Sequence, residues 1–295
     1  MAGLLAIEGM SKGQVELLLD RAGQLERGLD GPRPLAGRVV ANLFFEDSTR
    51  TRSSFEIAAK RLGAEVLNWT TRGSSASKGE TLLDTVRNID AMGPQIIVMR
   101  HASSGSAAFA ARHTRAPVIN AGDGTHEHPS QALLDAFTLR KHLGALDGKR
   151  ILVVGDILHS RVARSNLRCL TLLGAKVALC GPPTLVPKEM AALGAELFDD
   201  LDRALEGVDA VMMLRVQMER QQDAAFPTAR EYGRRWGLTQ ARADRLPPGV
   251  KVMHPGPINR GVEIATQVAD GPRSLILEQV HHGVAIRMAI LEACS

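Results

Sequence analysis

The sequence predicts an α/β protein made of two doubly wound parallel-sheet domains, and three observations predict it. At 295 residues the chain exceeds what one hydrophobic core comfortably serves, so two domains of roughly 130 to 150 residues are the natural division. Short apolar runs alternate with segments of helical period across brief punctuated joins, the pattern of a parallel sheet covered by helices. After Gly144 and Gly148 the alternation starts again, which sets the boundary between the halves.

The elements follow in order. An amphipathic helix over about 11–28 opens the chain. Strands are expected at 38–45, 65–69, 95–100 and 117–121, with helices between them. A long helix over about 128–143, with Leu133, Ala136 and Phe137 at i, i+3 and i+4, is expected to bridge to the second half. There the strands are read at 150–154, 176–179, 196–199, 209–214 and 251–254. Ile276, Val280, Val284, Met288 and Leu291 recur at helical spacing, in a closing helix long enough to reach back onto another domain. The first domain is therefore taken as 1–144, the second as 145–272, and the helix over about 273–295 as packing back on the first. The charged, amide-rich stretch 217–239 is expected to be a mobile connection.

Composition narrows the function. An apolar share of 44% with 23% charged residues is ordinary for a globular chain. No apolar run reaches the roughly 18 residues of a membrane span, and the opening MAGLLAIEGMSKG lacks a basic segment followed by a long apolar one. A cytoplasmic location is expected, with no membrane partner. Cys169, Cys180 and Cys294 lie far apart without a CxxC pair, so reduced, mostly buried thiols and no metal are expected. A net charge of +4 with both signs interspersed favours small anions over nucleic acid. Aromatic residues, at 3%, are too few for a platform that stacks single strands.

The segment FFEDSTRTRSSFE carries the sharpest chemical signal. A strand ending at Phe44 and Phe45 feeds a polar turn, after which Phe55, Ala58, Ala59 and Leu62 repeat with helical period until Gly63. Ser48, Thr49, Arg50 and Thr51 thus stand at a helix N-terminus, where unpaired N–H groups and the helix dipole favour an anion. Hydroxyls and a guanidinium complete what is chemically a phosphate cradle. The plainer alternative makes Ser48 a simple N-cap and leaves Arg50 and Arg52 solvated.

Other candidates share this placement. Arg100 ends the apolar run QIIVMR, at the sheet edge where ligands of open α/β folds bind. Taken singly it reads as a surface arginine; jointly with Arg50 it is a second cation for one anion. In GDGTHEHPSQALLD, His128 and Gln131 begin a helix directly after a strand. His128 can donate a hydrogen bond to a carbonyl oxygen and Gln131 can orient an amide, although a cap or core role explains an isolated histidine equally well. His126 is read as incidental. Arg161 in GDILHSRVARS and Arg215 with Gln217 in DAVMMLRVQMER are anion candidates at strand ends of the second half. A nucleotide reading of VVGD is weak, since the dinucleotide fingerprint needs clustered glycines and only Gly155 is present. Lys78, in TTRGSSASKGE, sits on a small-residue loop of the kind that closes over sites, with an exposed surface lysine as the alternative.

Taken together, STRTRSSFE, SASKGETLLDT, MRH, HPSQALLD, GDILHSRVARS, LRVQMER and HPGPINRGVEI resemble, in that order, the motifs of aspartate transcarbamoylase catalytic chains, over about 40–265. The resemblance implies transfer of the carbamoyl group of carbamoyl phosphate to L-aspartate, an early step of pyrimidine synthesis, with no cofactor and the site in a cleft between the domains. It implies that Ser48, Thr49, Arg50 and Thr51 hold the phosphate with Arg100, and that Thr51, Arg100 and His128 polarise the carbamoyl oxygen. Gln131, Gly256 and Pro257 would hold the carbamoyl amide, the last two through backbone carbonyls. Arg161, Arg215 and Gln217 would grip aspartate, and Ser74 and Lys78 would come from the neighbouring subunit of a homotrimer whose sites are shared. A regulatory chain or dihydroorotase is a partner of some family members, and HSRVARS looks more like members that work without regulatory chains. HPSQ stands where HPTQ is common, and EDST precedes the STRT core, yet neither departure removes a needed group.

Two rivals remain open at this stage. An ornithine-type enzyme shares STRTR and HPxQ but typically carries HCLP and a Ser-Met-Gly loop, where this chain has HPGP and no such loop. A catalytically silent scaffold would have lost Arg50, Lys78 or His128, and all three are present.

Overall fold

The computed structural model describes residues 1–70, 79–216 and 228–295. The chain falls into two compact units, Met1–Phe137 with Val280–Ser295, and Thr138–Gln279.

The first unit is built on a five-stranded sheet of β1 (Gly3–Leu4), β2 (Val39–Phe44), β3 (Glu65–Thr70), β4 (Ile96–His101) and β5 (Val118–Asp123), all parallel, in the order β1-β5-β4-β2-β3. Strands β2 and β5 and most of β4 are buried, which is why they read as apolar runs and not as alternating ones. The two asparagines inside them are paired: Asn42 donates to Asn68 Oδ1 at 3.0 Å and Asn120 to the Leu5 carbonyl at 2.8 Å. Helices α1 (Lys12–Arg27), α2 (Thr49–Arg61), α3 (Leu82–Ala91), α4 (Ser106–Ala111) and α5 (Pro129–Leu143) alternate with the strands. A capping box of Ser11 with Gln14 opens α1, and Thr81 caps α3, each satisfying N–H groups that lack an intrahelical partner. From β2 the chain adds β3 on one side and then returns to lay β4 on the other. The winding direction therefore reverses between β2 and β4, and such a switch point opens a crevice at the carboxyl ends of the strands.

The second unit repeats the design with β6 (Arg150–Val154), β7 (Lys176–Cys180), β8 (Glu196–Phe198), β9 (Ala210–Met213) and β10 (Lys251–Met253), parallel in the order β10-β9-β6-β7-β8. Its reversal lies between β6 and β9. Around the sheet stand α6 (Arg161–Leu172), α7 (Leu201–Ala204), α8 (Ala229–Trp236), α9 (Gln240–Asp244) and α10 (Thr266–Ala269), followed by α11 (Ile276–Ala293). Leu152, Val154, Val211, Met213, Tyr232, Trp236 and Val252 belong to one buried cluster. Among the described residues no helix is long and apolar enough to cross a membrane.

Three expectations change. The opening helix is preceded by a two-residue strand, β1, where Gly3 runs so close to β5 that a Cβ would sit 2.5 Å from the Val118 carbonyl oxygen. The expected connection at 217–239 is in part a packed element. Residues 217–227 lie outside the described residues, but Thr228 caps α8, whose Tyr232 and Trp236 enter the core. Its charged residues hid two aromatic anchors one turn apart. In α11 the expected stripe holds at Ile276, Met288 and Leu291, which are buried, but not at Val280, which is exposed, and Ile286, Ala289 and Ile290 outside it are buried as well. A helix buried on most sides has no single stripe to find.

All three thiols are free and buried. Burial, with Asp200 and Asp199 adding to it, pushes the Cys180 thiol up from 9.0 to about 12, and burial pushes Cys294 up to about 11. Since the thiolate is the reactive form, iodoacetamide at pH 8 is expected to leave Cys180 and Cys294 unmodified in the native protein and to label them in urea. A raised folded-state value also means that these groups cost stability only as pH rises from about 9 towards 12, where the unfolded thiols ionise first. Denaturation midpoints should be flat with respect to these groups below pH 8, and rapid native labelling would contradict the burial.

Candidate active site

In the first unit, three strand exits meet at the carboxyl edge of the sheet. Phe44 of β2 lies beside Arg100 of β4 in register, and the Phe45 N–H donates to the Arg100 carbonyl at 2.9 Å. The polar turn leaving β2 and the end of β4 are thereby locked side by side at the switch point. Helix α2 starts at Thr49 with Ser48 in the N-cap position, in extended conformation, and the Ser48 side chain makes no capping hydrogen bond. Ser48 therefore holds the N-cap position without capping through its side chain. Its hydroxyl and the first-turn N–H groups stay available to an anion. Thr51 is buried in the same turn, and Ser54 is spent internally, donating to the Arg50 and Thr51 carbonyls at 2.7 and 3.0 Å.

Arg50 is exposed, yet enough protein surrounds its guanidinium that burial lowers its pKa below the ordinary arginine value. Arg100 has Nε 3.4 Å from Glu46 Oε2, and its Nη1 donates to the Ala121 carbonyl at 3.5 Å. Glu46 is a residue that sequence reasoning passed over. As a carboxylate two positions before Ser48, it acts as a counter-charge to Arg100.

The exit of β5 is organised by Asp123, which accepts from Asn120 Nδ2 (2.8 Å), the Gly105 N–H (2.7 Å) and the Glu127 N–H (3.2 Å), and meets His126 Nδ1 at 3.1 Å. His126 therefore supports the loop. Glu127 in turn accepts from the Ile7 and Glu8 N–H groups. This bracing delivers His128 to the head of α5, where its carbonyl accepts from the Gln131 N–H at 3.0 Å and the side chain is buried. Gln131, one turn in, donates through Nε2 to Asp135 Oδ1 at 2.9 Å.

The second unit uses its own switch point. Gly155 (φ +140°) follows β6, and a Cβ there would come within 2.9 Å of Leu214 Cβ. That glycine serves close packing of two strand exits and not a pyrophosphate. Ser160 Oγ accepts from the Ala163 N–H and caps α6, placing Arg161 at its first position with only 8% of its surface exposed. Arg215 leaves the neighbouring strand, the Leu214 N–H having donated to the Val154 carbonyl at 2.8 Å. The segment after β10 is fixed by a buried pair. His254 Nδ1 accepts from the Gly256 N–H at 2.7 Å, so the proton sits on Nε2, which faces Glu263 Oε1 at 3.2 Å. Asn259 ties the same loop to the segment that follows β9 by donating to the Val216 carbonyl at 3.0 Å. Gly256 and Pro257, joined by a cis peptide bond, are held in this loop.

Ser48, Thr49, Arg50, Thr51, Arg100, His128 and Gln131 thus gather at one sheet edge of the first unit, and Arg161, Arg215, Gly256 and Pro257 at the corresponding edge of the second. Ser74, Lys78 and Gln217 lie outside the described residues. Among the described residues no group of three or more His, Cys, Asp and Glu is placed to hold a metal ion.

Two doubly wound parallel-sheet units, each with arginines at its own switch point, place the protein in the α/β class. Residues 3–141 match the family model for the aspartate/ornithine carbamoyltransferase carbamoyl-P binding domain, and residues 147–294 match that for the Asp/Orn binding domain. The chain belongs to the aspartate/ornithine carbamoyltransferase family. It is 64% identical to the aspartate carbamoyltransferase catalytic subunit of Myxococcus xanthus, with all of both chains covered. It is 55% identical to that of Acidothermus cellulolyticus, covering 99% of this chain and 91% of the relative. Among solved structures, the Trypanosoma cruzi aspartate transcarbamoylase in complex with carbamoyl phosphate and aspartate superimposes with a TM-score of 0.88 at 32% identity, over 99% of this chain and 96% of that one. The catalytic subunit of the M. jannaschii enzyme gives 0.86 at 34% identity, over 100% and 98%.

Proposed function

We propose that the protein transfers the carbamoyl group of carbamoyl phosphate to the amine of L-aspartate, giving N-carbamoyl-L-aspartate and phosphate. The observation that carries this reading is the N-terminus of α2, whose cap hydroxyl is uncommitted and which stands beside Arg100 at the switch point of the first unit. Match of that unit to a carbamoyl-P binding domain and of the other to an Asp/Orn binding domain supports donor and acceptor being bound by different units.

The chemistry needs no covalent enzyme intermediate, because carbamoyl phosphate is already a reactive mixed anhydride. The neutral amine of aspartate attacks the carbamoyl carbon, the carbonyl oxygen takes up negative charge, and the bond to the phosphate oxygen then breaks. Phosphate leaves and accepts the proton the amine gives up. Ser48, Thr49, Arg50, Thr51 and Arg100 hold the phosphate. Thr51, Arg100 and His128 donate to the oxygen that becomes charged, each preorganised donor contributing about 3 kcal/mol to the barrier reduction. Gln131 and the Gly256 and Pro257 carbonyls orient the carbamoyl amide, and Arg161, Arg215 and Gln217 take the two carboxylates of aspartate. Holding both reactants at attack distance supplies the rest.

Radiolabelled carbamoyl phosphate offered with aspartate or with ornithine, without added metal, tests the reading. Labelled carbamoyl-aspartate is the expected product. Labelled citrulline would establish the ornithine-type alternative, and no transfer to either would leave a scaffold.

The functional form in this proposal is a cytoplasmic homotrimer with sites completed by Ser74 and Lys78 of the adjacent subunit, a reading that rests on the family resemblance and on the loop composition around Lys78. Inactive Lys78→Ala and inactive His128→Ala chains, mixed under conditions of subunit exchange, are expected to regain activity, since hybrid trimers contain sites free of both lesions. Hybrids that form and stay inactive would show that each chain completes its own site.

A further inference from the structure

Beneath the phosphate cradle of the first unit lies a buried charge that the transfer chemistry does not call on. Arg287 of α11 has only 4% of its surface exposed, and its Nη1 donates to the Gly283 carbonyl at 3.0 Å. The guanidinium stacks 5.1 Å from the ring centre of Phe55 on α2, the helix whose first turn is the cradle. Room for it is made by Gly283, where a Cβ would fall 2.5 Å from Arg287 Nη1 and 3.3 Å from Leu134 Cδ2 on α5. Arg287 thus spans from α11 to α2, and the absence of a side chain at Gly283 leaves its guanidinium that space. Its pKa is lowered to about 10 by burial and by the like charge of Arg50, against the opposing charge of Asp135.

Asp135 is wholly buried on α5 and accepts from Gln131 Nε2 at 2.9 Å. An ionised carboxylate can only accept, so it commits the nitrogen end of the Gln131 amide to itself. The carbonyl oxygen of Gln131 is then the end left for an N–H donor. The carbamoyl NH2 of the proposed donor substrate presents two such N–H groups, whereas inorganic phosphate presents none there. A buried carboxylate in turn needs an opposite charge nearby.

We propose that Asp135 is a positioning residue for donor recognition, acting as a pair with Gln131: its buried carboxylate fixes the Gln131 amide with the carbonyl oxygen towards the carbamoyl NH2. This rests on the carbamoyl-phosphate reading of the same site. It separates two functions of the first unit, since the pair governs recognition of the amide and leaves recognition of phosphate to the cradle.

The test is calorimetric titration of the intact protein with two probes, phosphonoacetamide, which carries both a phosphonate and a primary amide, and inorganic phosphate, which lacks the amide. Asp135→Asn is expected to weaken phosphonoacetamide binding by about tenfold, the loss of one charge-assisted hydrogen bond, with phosphate binding changed less than about twofold. Gln131→Ala should show the same selectivity, and adding Asp135→Asn to it should cost nothing further, the coupling expected of residues acting through one contact. Asp135→Glu keeps the charge but displaces the carboxylate by one methylene, and it carries the same comparison if Asp135→Asn does not fold. Equal losses for both probes, or full additivity with Gln131→Ala, would overturn the proposal by reducing the pair to a structural role. A wild-type protein that binds phosphate but shows no affinity for phosphonoacetamide would overturn the donor reading itself, an outcome told apart by needing no variant.

Discussion

Replacing Arg50 with alanine is expected to lower kcat/KM by about three orders of magnitude or more while moving the melting temperature by less than about 2 °C. The asymmetry follows from where the side chain stands. Among the described residues its guanidinium makes no hydrogen bond or ion pair, burial lowers its pKa, and the like charge of Arg287 lies close enough to act on it. Folding therefore gains little from Arg50. A dianionic ligand supplies the missing counter-charge, and a guanidinium–phosphate contact is among the stronger charge-assisted hydrogen-bonded pairs. Thermal denaturation followed by circular dichroism, with initial rates at saturating aspartate, checks both halves. A variant that unfolds, or one with near-normal kinetics, would remove Arg50 from the cradle.

Changing Arg215 to lysine is expected to raise the KM for aspartate by about a hundredfold or more, with the dissociation constant for phosphonoacetamide within about twofold of wild type, and without admitting ornithine. A bidentate fork suits a carboxylate better than the point charge of lysine, and the loss of a directional charged contact is worth a few kcal/mol. Arg215 leaves β9 in the second unit, and the cradle belongs to the first. Donor affinity should hence be indifferent to the change. Collapse of donor affinity with an unaltered aspartate KM would reverse the assignment of the two substrates to the two units.

Much of this was legible without coordinates because it depended on local order. FFEDSTRTRSSFE contains a buried strand, a polar turn and a helix start in one run, and the structure places α2 at Thr49–Arg61 with Ser48 as its cap. Arg100, His128, Arg161 and Arg215 were legible as candidates for the same reason, each lying at or within seven residues of a strand's carboxyl end, where parallel α/β sheets open to ligands. What the sequence obscured was structure whose signal is not periodic. Two residues suffice for β1 because β5 supplies the partner, and α8 hides two core aromatics among arginines. Glu46 was passed over, since nothing in its neighbours announces an ion pair with a residue 54 positions later (100 − 46).

The sequence by itself determined the class of fold, the two-part organisation, and which short motifs carry cations and hydroxyls, all of which follow from hydrophobic period and from the chemistry of strand ends. Only the tertiary structure decided which of those motifs become neighbours. Strand order, and with it the switch points between β2 and β4 and between β6 and β9, is set by how helices pack over each sheet, which no local window encodes. The same holds for Arg287. In the sequence it is one arginine in an apolar helix; folded, it is buried against Phe55 of α2 and the Gly283 carbonyl, because burial makes the partner of a charge a matter of space and not of sequence distance.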